Sequence, residues 1–202
     1  MEKTKTCERL LSFSIYIFLY ITALIPQFAA SMTVVDSSMR FGRFNIPSSH
    51  IFYKGKTSAA FVNLRPIVPG HVLVISDRVV PTMEELNDEE YVDMWRSVRI
   101  IQKMLKQHYQ GTTAFNVAVQ DGQAAGQSVP HVHVHILPRS SGDYERNDDV
   151  YEDLEAWAPR ADQSKPKTSI DVPDDADRKD RTTEQMAEEA SVYRKILESL
   201  QS

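Results

Sequence analysis

Cysteine is almost absent from this 202-residue chain, which contains only Cys7. A single cysteine excludes an intramolecular disulfide and a zinc site built mainly from cysteines. No stretch of lysine and arginine is dense enough to predict a surface for duplex nucleic acid. The chain is 42% hydrophobic and 25% charged, which is ordinary for one globular domain with its own core.

Charge is divided unevenly along the chain. Residues 141–202 carry 17 acidic and 9 basic side chains, and therefore a net charge of −8. Residues 1–140 carry 11 acidic and 14 basic side chains, and therefore a net charge of +3. The part that holds the motifs described below is thus mildly basic, and the tail is acidic.

The first 38 residues form an N-terminal extension that has the pattern of a targeting segment. Three basic residues precede an apolar run from Leu10 to Ile25, and Ala29-Ala30-Ser31 follow it. This order is typical of a secretory signal, and the run is short for a membrane span. The alternative is that translation begins at Met32 or Met39. Contact with a membrane is expected only through this segment, if it is retained.

The hydrophobic pattern from residue 39 onward predicts a sheet with a long helix packed on it. Strands are predicted at 51–53, 58–64, 71–77 and 112–119, the first two as a hairpin around Gly55. Capping-box patterns begin at Thr82 and Asn87 and predict a long helix to about Tyr109. Its predicted sheet-facing stripe consists of Tyr91, Met94, Trp95, Val98, Ile101 and Leu105.

The acidic tail is predicted to hold two helices and a loop. A short helix is expected at 152–157, which completes a catalytic domain spanning residues 39–157. Residues 158–182 are polar and charged, so we expect a mobile loop there. Thr182 and Gln185 predict a capping box for a last helix, and residues 183–202 are expected to dock on the domain through Met186, Ala190, Tyr193 and Leu197.

Histidines alternate with branched apolar residues in the run His131-Val132-His133-Val134-His135-Ile136. Alternate side chains point to opposite faces of a strand, so the run predicts three imidazoles on one face and a buried apolar row on the other. The preceding segment, Gln120 to Pro130, is rich in small residues and in hydrogen-bond donors, as expected of a loop that closes on phosphate.

Three neighbouring imidazoles favour chemistry at phosphorus. A neutral imidazole can attack phosphorus and form a phosphoramidate, while its neighbours orient it and supply a proton to the leaving oxygen. Backbone N–H groups of Gly126 to Val129 could stabilise charge on the phosphate oxygens. Two alternatives are a zinc site, because His-x-His on a strand also binds metal, and a purely structural imidazole ladder.

These motifs together resemble the fragile histidine triad branch of the histidine triad superfamily. The run from His131 to Ile136 has the His-φ-His-φ-His-φ form of that superfamily, in which φ is an apolar residue. The similarity extends to the segments 60–74, 120–122 and 125–129, and to Leu137-Pro138-Arg139, Gly142-Asp143 and Arg146-Asn147-Asp148 with Tyr151.

The resemblance implies a fold, an assembly and a reaction. It implies a two-layer α+β histidine-triad fold, built on an antiparallel sheet with one long packing helix and a C-terminal helix, and usually paired as a homodimer in the cytoplasm. The implied reaction is hydrolysis of diadenosine 5′,5‴-triphosphate to AMP and ADP through a nucleotidyl-histidine intermediate. Adenosine 5′-phosphosulfate hydrolysis, or adenylyl transfer to ammonia, is also implied. A divalent cation, Mg²⁺ or Mn²⁺, would accompany the substrate, and no tightly bound cofactor is expected.

The resemblance also implies roles for individual residues. His133 would be the nucleophile, His135 would contact the phosphate oxygens and help the leaving group, His131 would support the nucleophile, and His71 would hydrogen-bond within the cluster. The implied substrate contacts are Asn63 on the ribose, Gln120 on the phosphates, and the loop residues Gly126, Gln127, Ser128 and Val129. Phe44 stands where the family often has a histidine and could stack on the base, and Tyr151 matches a regulatory phosphorylation site.

A second function remains open at this point. The chain could be a nucleotide-binding signalling protein whose ligand complex is the output and whose turnover is incidental. The acidic loop and Tyr151 would then contact a partner.

Overall fold

The computed structural model describes residues 38–156 and 180–200. The predicted N-terminal extension, apart from Ser38, lies outside the described residues. The same holds for Trp157 and for all of the predicted mobile loop except Asp180, Arg181 and Thr182.

One five-stranded antiparallel sheet organises the described residues. Its strands are β3 (Ile51–Lys54), β4 (Ser58–Val62), β5 (Val72–Ser76), β6 (Ala114–Ala118) and β7 (His133–Arg139), in the spatial order β3-β4-β5-β7-β6. A separate hairpin pairs β1 (Met39–Phe41) with β2 (Phe44–Ile46). The predicted strands and the β3–β4 hairpin are confirmed, with ends shifted by one to three residues.

The register between β5 and β7 decides which side chains share a face. Leu73 pairs with His135, and Ile75 pairs with His133. The intervening residues Val132, Val134 and Ile136 join the core on the opposite face, with Val72 and Val74 from β5. The predicted alternation is confirmed. His131 precedes the strand, however, because its backbone N–H bonds to the carbonyl of Val129 in a turn.

In the described residues, three α-helices accompany the sheet: α1 (Asp88–His108), α2 (Asp149–Ala156) and α3 (Thr183–Ser199). Asn87 and Glu90 form the predicted capping box of α1, and Thr182 and Gln185 form that of α3. The predicted helix start at Thr82 is wrong. Thr82 precedes a single 3-10 turn, Met83–Glu85, and the chain becomes extended again at Leu86 before α1 begins.

The helices α1 and α3 cover one face of the sheet. The buried residues of α1 include Met94, Val98, Ile101, Met104 and Leu105, and those of α3 are Met186, Ala190, Tyr193 and Leu197. Docking of the last helix is therefore confirmed. Tyr91 was assigned to the buried stripe wrongly, since it is 44% exposed and meets Trp95 edge-on at the surface.

Within the described ranges, none of the helices has both the length and the apolar character needed to cross a bilayer.

Candidate active site

The sequence-predicted histidines meet on the sheet face opposite α1 and α3. His131, His133 and His135 are fully buried, and His71 is almost so. The ring centroids of His133 and His135 lie 5.0 Å apart, and those of His71 and His135 lie 5.2 Å apart. Adjacent antiparallel strands bring these rings together, because β5 follows directly from His71 and pairs with β7.

A backbone carbonyl determines which ring nitrogen of His133 carries the proton. Its Nδ1 lies 2.7 Å from the carbonyl oxygen of His131. A carbonyl oxygen can only accept, so Nδ1 carries the hydrogen. The neutral ring therefore has its lone pair on Nε2, which is the nitrogen available for attack.

His131 supports the position of His133 because hydrogen bonds at both of its own ring nitrogens fix it in place. The N–H of Gly42 donates to His131 Nδ1 at 3.2 Å, so the ring proton lies on Nε2. That proton is donated to the carbonyl of Ser76 at 2.9 Å, and the Ser76 hydroxyl lies 3.1 Å from the same nitrogen. Ser76 was not anticipated as a site residue, because a lone serine at the end of a strand carries no chemical signal.

A chain of hydrogen bonds gives His135 the opposite proton arrangement. The N–H of Ile67 donates to His71 Nδ1 at 3.3 Å, and the amide NH₂ of Asn63 lies 3.2 Å from both ring nitrogens. Because the Ile67 N–H is a donor, the neutral His71 ring carries its hydrogen on Nε2. His71 Nε2 lies 2.9 Å from His135 Nδ1. His135 therefore accepts through Nδ1 and carries its own hydrogen on Nε2.

Asn63 is oriented from its other side. Its side-chain oxygen accepts from the N–H of Arg65 at 3.1 Å, which turns the NH₂ group toward His71. Asn63 is buried, so the structure places it behind the histidines as a support for His71. Its predicted contact with a ribose stays a prediction.

Burial keeps the two central imidazoles uncharged. Desolvation lowers the pKa of His133 to about 4, against a smaller opposing effect of its bond to the His131 carbonyl. Desolvation is also the main reason that the pKa of His135 is well below its ordinary value, and the neighbouring His71 and His133 add to it. Burial likewise lowers the pKa of His131. At neutral pH one ring therefore offers a lone pair and the next a proton.

An apolar wall borders the histidines. It consists of buried side chains from the hairpin, from β3 to β5 and from the loop before β7: Phe41, Ile51, Ala59, Phe61, Leu73, Ile75 and Val129. The Phe41 ring meets His133 edge-on, with centroids 5.1 Å apart. Phe44, predicted to stack on a base, is 39% exposed and lies under the guanidinium of Arg43. Phe41 is therefore the aromatic residue of the hairpin that contacts the cluster.

The predicted phosphate loop forms a short 3-10 turn, Gln123–Ala125, ended by Gly126 in the left-handed region at φ +87°. A Cβ on Gly126 would come within 2.8 Å of the Gln120 amide nitrogen, so the predicted loop residues Gln120 and Gly126 are neighbours. Gln120 Oε1 and Ser128 Oγ are buried, and neither has a hydrogen-bond partner in the described part of the chain. Orphaned buried polar atoms of this kind fit a loop that bonds to a ligand.

The remaining two loop residues are occupied within the protein. The side-chain amide of Gln127 donates to the carbonyl of Pro81 at 2.7 Å, and Val129 belongs to the apolar wall. Tyr151 lies on α2, is 55% exposed, and accepts from the amide of Asn116 at 3.2 Å. Its regulatory role stays a prediction.

No group of three or more His, Cys, Asp or Glu side chains in residues 38–156 and 180–200 is arranged to hold a metal ion.

Arg181 reaches the back of the histidine cluster from the segment that the sequence analysis assigned to a mobile loop. Its guanidinium donates to the Asn63 carbonyl, and its N–H donates to the Leu64 carbonyl at 3.1 Å. Asp180 pairs with Arg65. Residues 180–182 form no helix or strand, as the loop prediction requires, and these bonds hold Asp180 and Arg181 against residues 63–65.

Comparison with known proteins agrees with this geometry. The HIT domain family model matches residues 43–142. A bis(5'-nucleosyl)-tetraphosphatase [asymmetrical] of Schizosaccharomyces pombe is 44% identical over 77% of this chain and 92% of its own length. A bifunctional bis(5'-adenosyl)-triphosphatase/adenylylsulfatase of Arabidopsis thaliana is 40% identical over 83% of this chain and 88% of its own.

A solved structure is also similar. The crystal structure of the Caenorhabditis elegans NitFhit protein matches with a TM-score of 0.61 and 40% identity. The match covers 80% of this chain and 30% of the NitFhit chain, so the present chain spans about a third of that relative. The chain belongs to the HIT domain family.

Proposed function

We propose that the protein hydrolyses diadenosine triphosphate to AMP and ADP by nucleophilic attack of His133. The observation that carries this proposal is the pair of opposite tautomers. The His131 carbonyl leaves the lone pair of His133 on Nε2, whereas His71 leaves a proton on Nε2 of His135. The names of the relatives support the substrate class, since they include a bis(5'-adenosyl)-triphosphatase.

In the first step, His133 Nε2 attacks the α-phosphorus and forms a P–N bond. The bond from that phosphorus to the oxygen bridging to the β-phosphate breaks, and the departing oxygen takes the electron pair and accepts a hydrogen bond from His135 Nε2–H. ADP leaves, and an adenylyl group stays on His133. The imidazole becomes cationic as the P–N bond forms, and its Nδ1–H bond to the His131 carbonyl strengthens with that charge.

In the second step, water takes the place of the leaving group. Water adds to the phosphorus as the P–N bond breaks, the electron pair of that bond returns to His133 Nε2, and the proton lost by the water passes to solvent. AMP departs, and both histidines have their starting proton arrangement. His133 Nε2 is therefore first the nucleophile and then the leaving group, and the Nε2–H of His135 stabilises the oxygen that departs in the first step.

The adenosine is proposed to lie against the apolar wall around Phe41 and Phe61, and the phosphates against Gln120 and Ser128. An aromatic and aliphatic surface suits a purine ring. The Ser128 hydroxyl can donate to a phosphate oxygen, and Gln120 Oε1 can accept from a water molecule bound to the phosphate. Both reacting rings are buried in this structure, so substrate entry requires movement of the groups that cover them, of which Phe41 is one.

The proposed chemistry requires only an adenylyl group with a displaceable substituent. Diadenosine tetraphosphate and adenosine 5′-phosphosulfate meet this requirement, and names of two relatives include a tetraphosphatase and an adenylylsulfatase. Transfer of the adenylyl group to ammonia would follow the same course with a different second nucleophile. A divalent cation, Mg²⁺ or Mn²⁺, is proposed to arrive with the substrate, held by its phosphates.

We also propose that the protein works as a homodimer joined at β6. This strand lies at the end of the sheet order, with Ala114 and Val117 exposed. An exposed antiparallel edge can pair with a second copy of itself. Sedimentation of wild type and of Val117→Lys tests this, with a dimer expected for the first and a monomer for the second. Two dimers would contradict pairing at β6.

Hydrolysis of diadenosine triphosphate in ¹⁸O-labelled water tests the proposed reaction. Attack at the α-phosphorus places the label in AMP and leaves ADP unlabelled. Label in ADP would place the attack at the β-phosphorus and refute the role of His133. Tight binding without turnover would instead favour the signalling interpretation.

A further inference from the structure

Arg181, which lies just before α3, bonds to the chain of residues that sets the tautomer of His135. The Arg181 guanidinium donates to the carbonyl of Asn63 through Nε at 3.0 Å and through a second nitrogen. The Arg181 N–H donates to the next carbonyl, that of Leu64. Glu189 on α3 pairs with the same guanidinium. Two successive carbonyls are thus fixed from outside the sheet.

Those two carbonyls belong to the turn that supports His71. Within five residues this turn supplies the Asn63 amide, the Arg65 N–H that orients it, and the Ile67 N–H that also donates to His71. The Asn63 carbonyl and the Asn63 side chain share one residue, so a shift of this backbone moves the amide away from His71. Arg181 therefore bonds to a residue, Asn63, that is connected to His135 through two hydrogen bonds, Asn63–His71 and His71–His135.

We infer that Arg181 is a positioning residue for catalysis, which keeps His71 and His135 in the tautomers that direct the Nε2–H of His135 at the leaving group. The expected effect on kcat rests on the proposed function. The expected effect on the tautomers of His71 and His135 does not, since these tautomers exist without substrate. Arg181 touches neither reacting ring, so it acts only through Asn63 and the turn.

Arg194, which lies on α3, provides a matched control for Arg181, which precedes that helix. Arg194 donates to the carbonyls of Ser49 and Ile51, and so it also clamps backbone carbonyls from α3. Its partners lie at the start of β3, away from the His71 turn. Arg194→Met and Arg181→Met therefore remove similar contacts with comparable loss of stability, and only the second disturbs the histidine chain.

The kinetic test compares these two variants with wild type on diadenosine triphosphate. Misplacement of a group behind the reacting centre can cost about 10- to 100-fold in rate, so Arg181→Met is expected to lower kcat by about tenfold. KM should change little, and Arg194→Met should keep the wild-type kcat. Arg181→Lys retains a charged donor and should recover part of the loss.

The leaving group supplies a readout that a purely structural role would not move. AMP esters of 4-nitrophenol and of unsubstituted phenol differ in how strongly their departure depends on a hydrogen bond to the leaving oxygen. Arg181→Met should slow cleavage of the phenyl ester more than that of the 4-nitrophenyl ester. An equal loss on the two esters would refute a role in stabilising the leaving oxygen.

The structural test uses no substrate. The chain has six histidines, so long-range ¹H–¹⁵N spectra of ¹⁵N-histidine-labelled protein can be assigned by single replacements. Wild type and Arg194→Met should show His71 and His135 protonated on Nε2, and Arg181→Met should show mixed tautomers. Unchanged tautomers in Arg181→Met would overturn the inference even if diadenosine triphosphate proves not to be a substrate. If Arg181→Met does not fold, Arg181→Lys and Glu189→Gln are expected to show the same change in weaker form, and wild-type spectra from both would overturn the inference.

Discussion

The free energy of unfolding is predicted to fall in mild acid because His133 is held neutral. Burial lowers the pKa of His133 from 6.5 to about 4 in the folded chain, and the exposed ring of the unfolded chain returns to about 6.5. Between these values the unfolded chain binds a proton that the folded chain does not. Stability therefore rises with pH across this window and is lost as the pH falls through it.

The magnitude follows from the gap between the two pKa values. At about 1.4 kcal/mol for each pKa unit, the interval from 6.5 to about 4 is worth about 3 kcal/mol. Because the His133 side chain is fully buried, solvent screening does not reduce this contribution to the free energy of unfolding. A domain has about 5–15 kcal/mol of stability in total, and the loss should be easily measured.

Urea unfolding of wild type and His133→Asn at about pH 7 and about pH 4 measures this contribution. The asparagine amide can still donate to the His131 carbonyl, but it does not titrate. We expect wild type to lose about 3 kcal/mol more than His133→Asn between the two conditions. Ile101→Val is the control, since loss of a buried methyl group costs about 0.5–1.5 kcal/mol at either pH. Equal losses in wild type and His133→Asn would refute the reasoning that burial keeps this ring neutral.

Three further predictions concern activity and packing. Because His133 is neutral above its lowered pKa of about 4, kcat/KM should be flat on the acidic side down to about pH 5; a decline that begins near its ordinary value of 6.5 would contradict this. Gly42→Ala should lower the melting temperature and kcat together, since φ is +55° and a Cβ would come within 2.6 Å of Val129, and the Gly42 N–H holds His131; a wild-type melting curve would count against it. Tyr193→Phe should cost about 1–3 kcal/mol in urea unfolding, because it removes the hydrogen bonds of the Tyr193 hydroxyl to Tyr109 and Glu189, with kcat unchanged; altered kcat would show that α3 affects the site through this residue as well.

The strands and the histidine face could be predicted because strict alternation of histidine and apolar residues fits one secondary structure. His131 to Ile136 alternate over six positions, and only a strand places the imidazoles together. The helix α3 was equally predictable, since Thr182, Gln185 and its buried stripe all indicate the same element. Thr82 shows the limit of the same signal: its pattern matched a capping box, but the chain turned only once there because Asn87 provides the better start of α1.

The supports of the site could not be predicted from local pattern. Ser76, Gly42 and Arg181 act through backbone carbonyls or their own N–H groups, and any residue carries such groups. Arg181 also lies 118 positions from Asn63 in sequence, within a stretch whose composition resembles that of a solvated loop. Only the folded structure shows that the Arg181 guanidinium bonds to the backbone carbonyl of Asn63, behind the histidines.

The most direct test of the proposed mechanism is to look for the adenylyl group on His133. Diadenosine triphosphate labelled in the α-phosphate is mixed with wild type or His133→Asn and quenched within one turnover. The mechanism predicts acid-labile label on the wild-type chain alone, together with release of ADP in equal amount. Hydrolysis to AMP and ADP with no label on the chain, or hydrolysis by His133→Asn at the wild-type rate, would contradict a nucleotidyl-histidine intermediate.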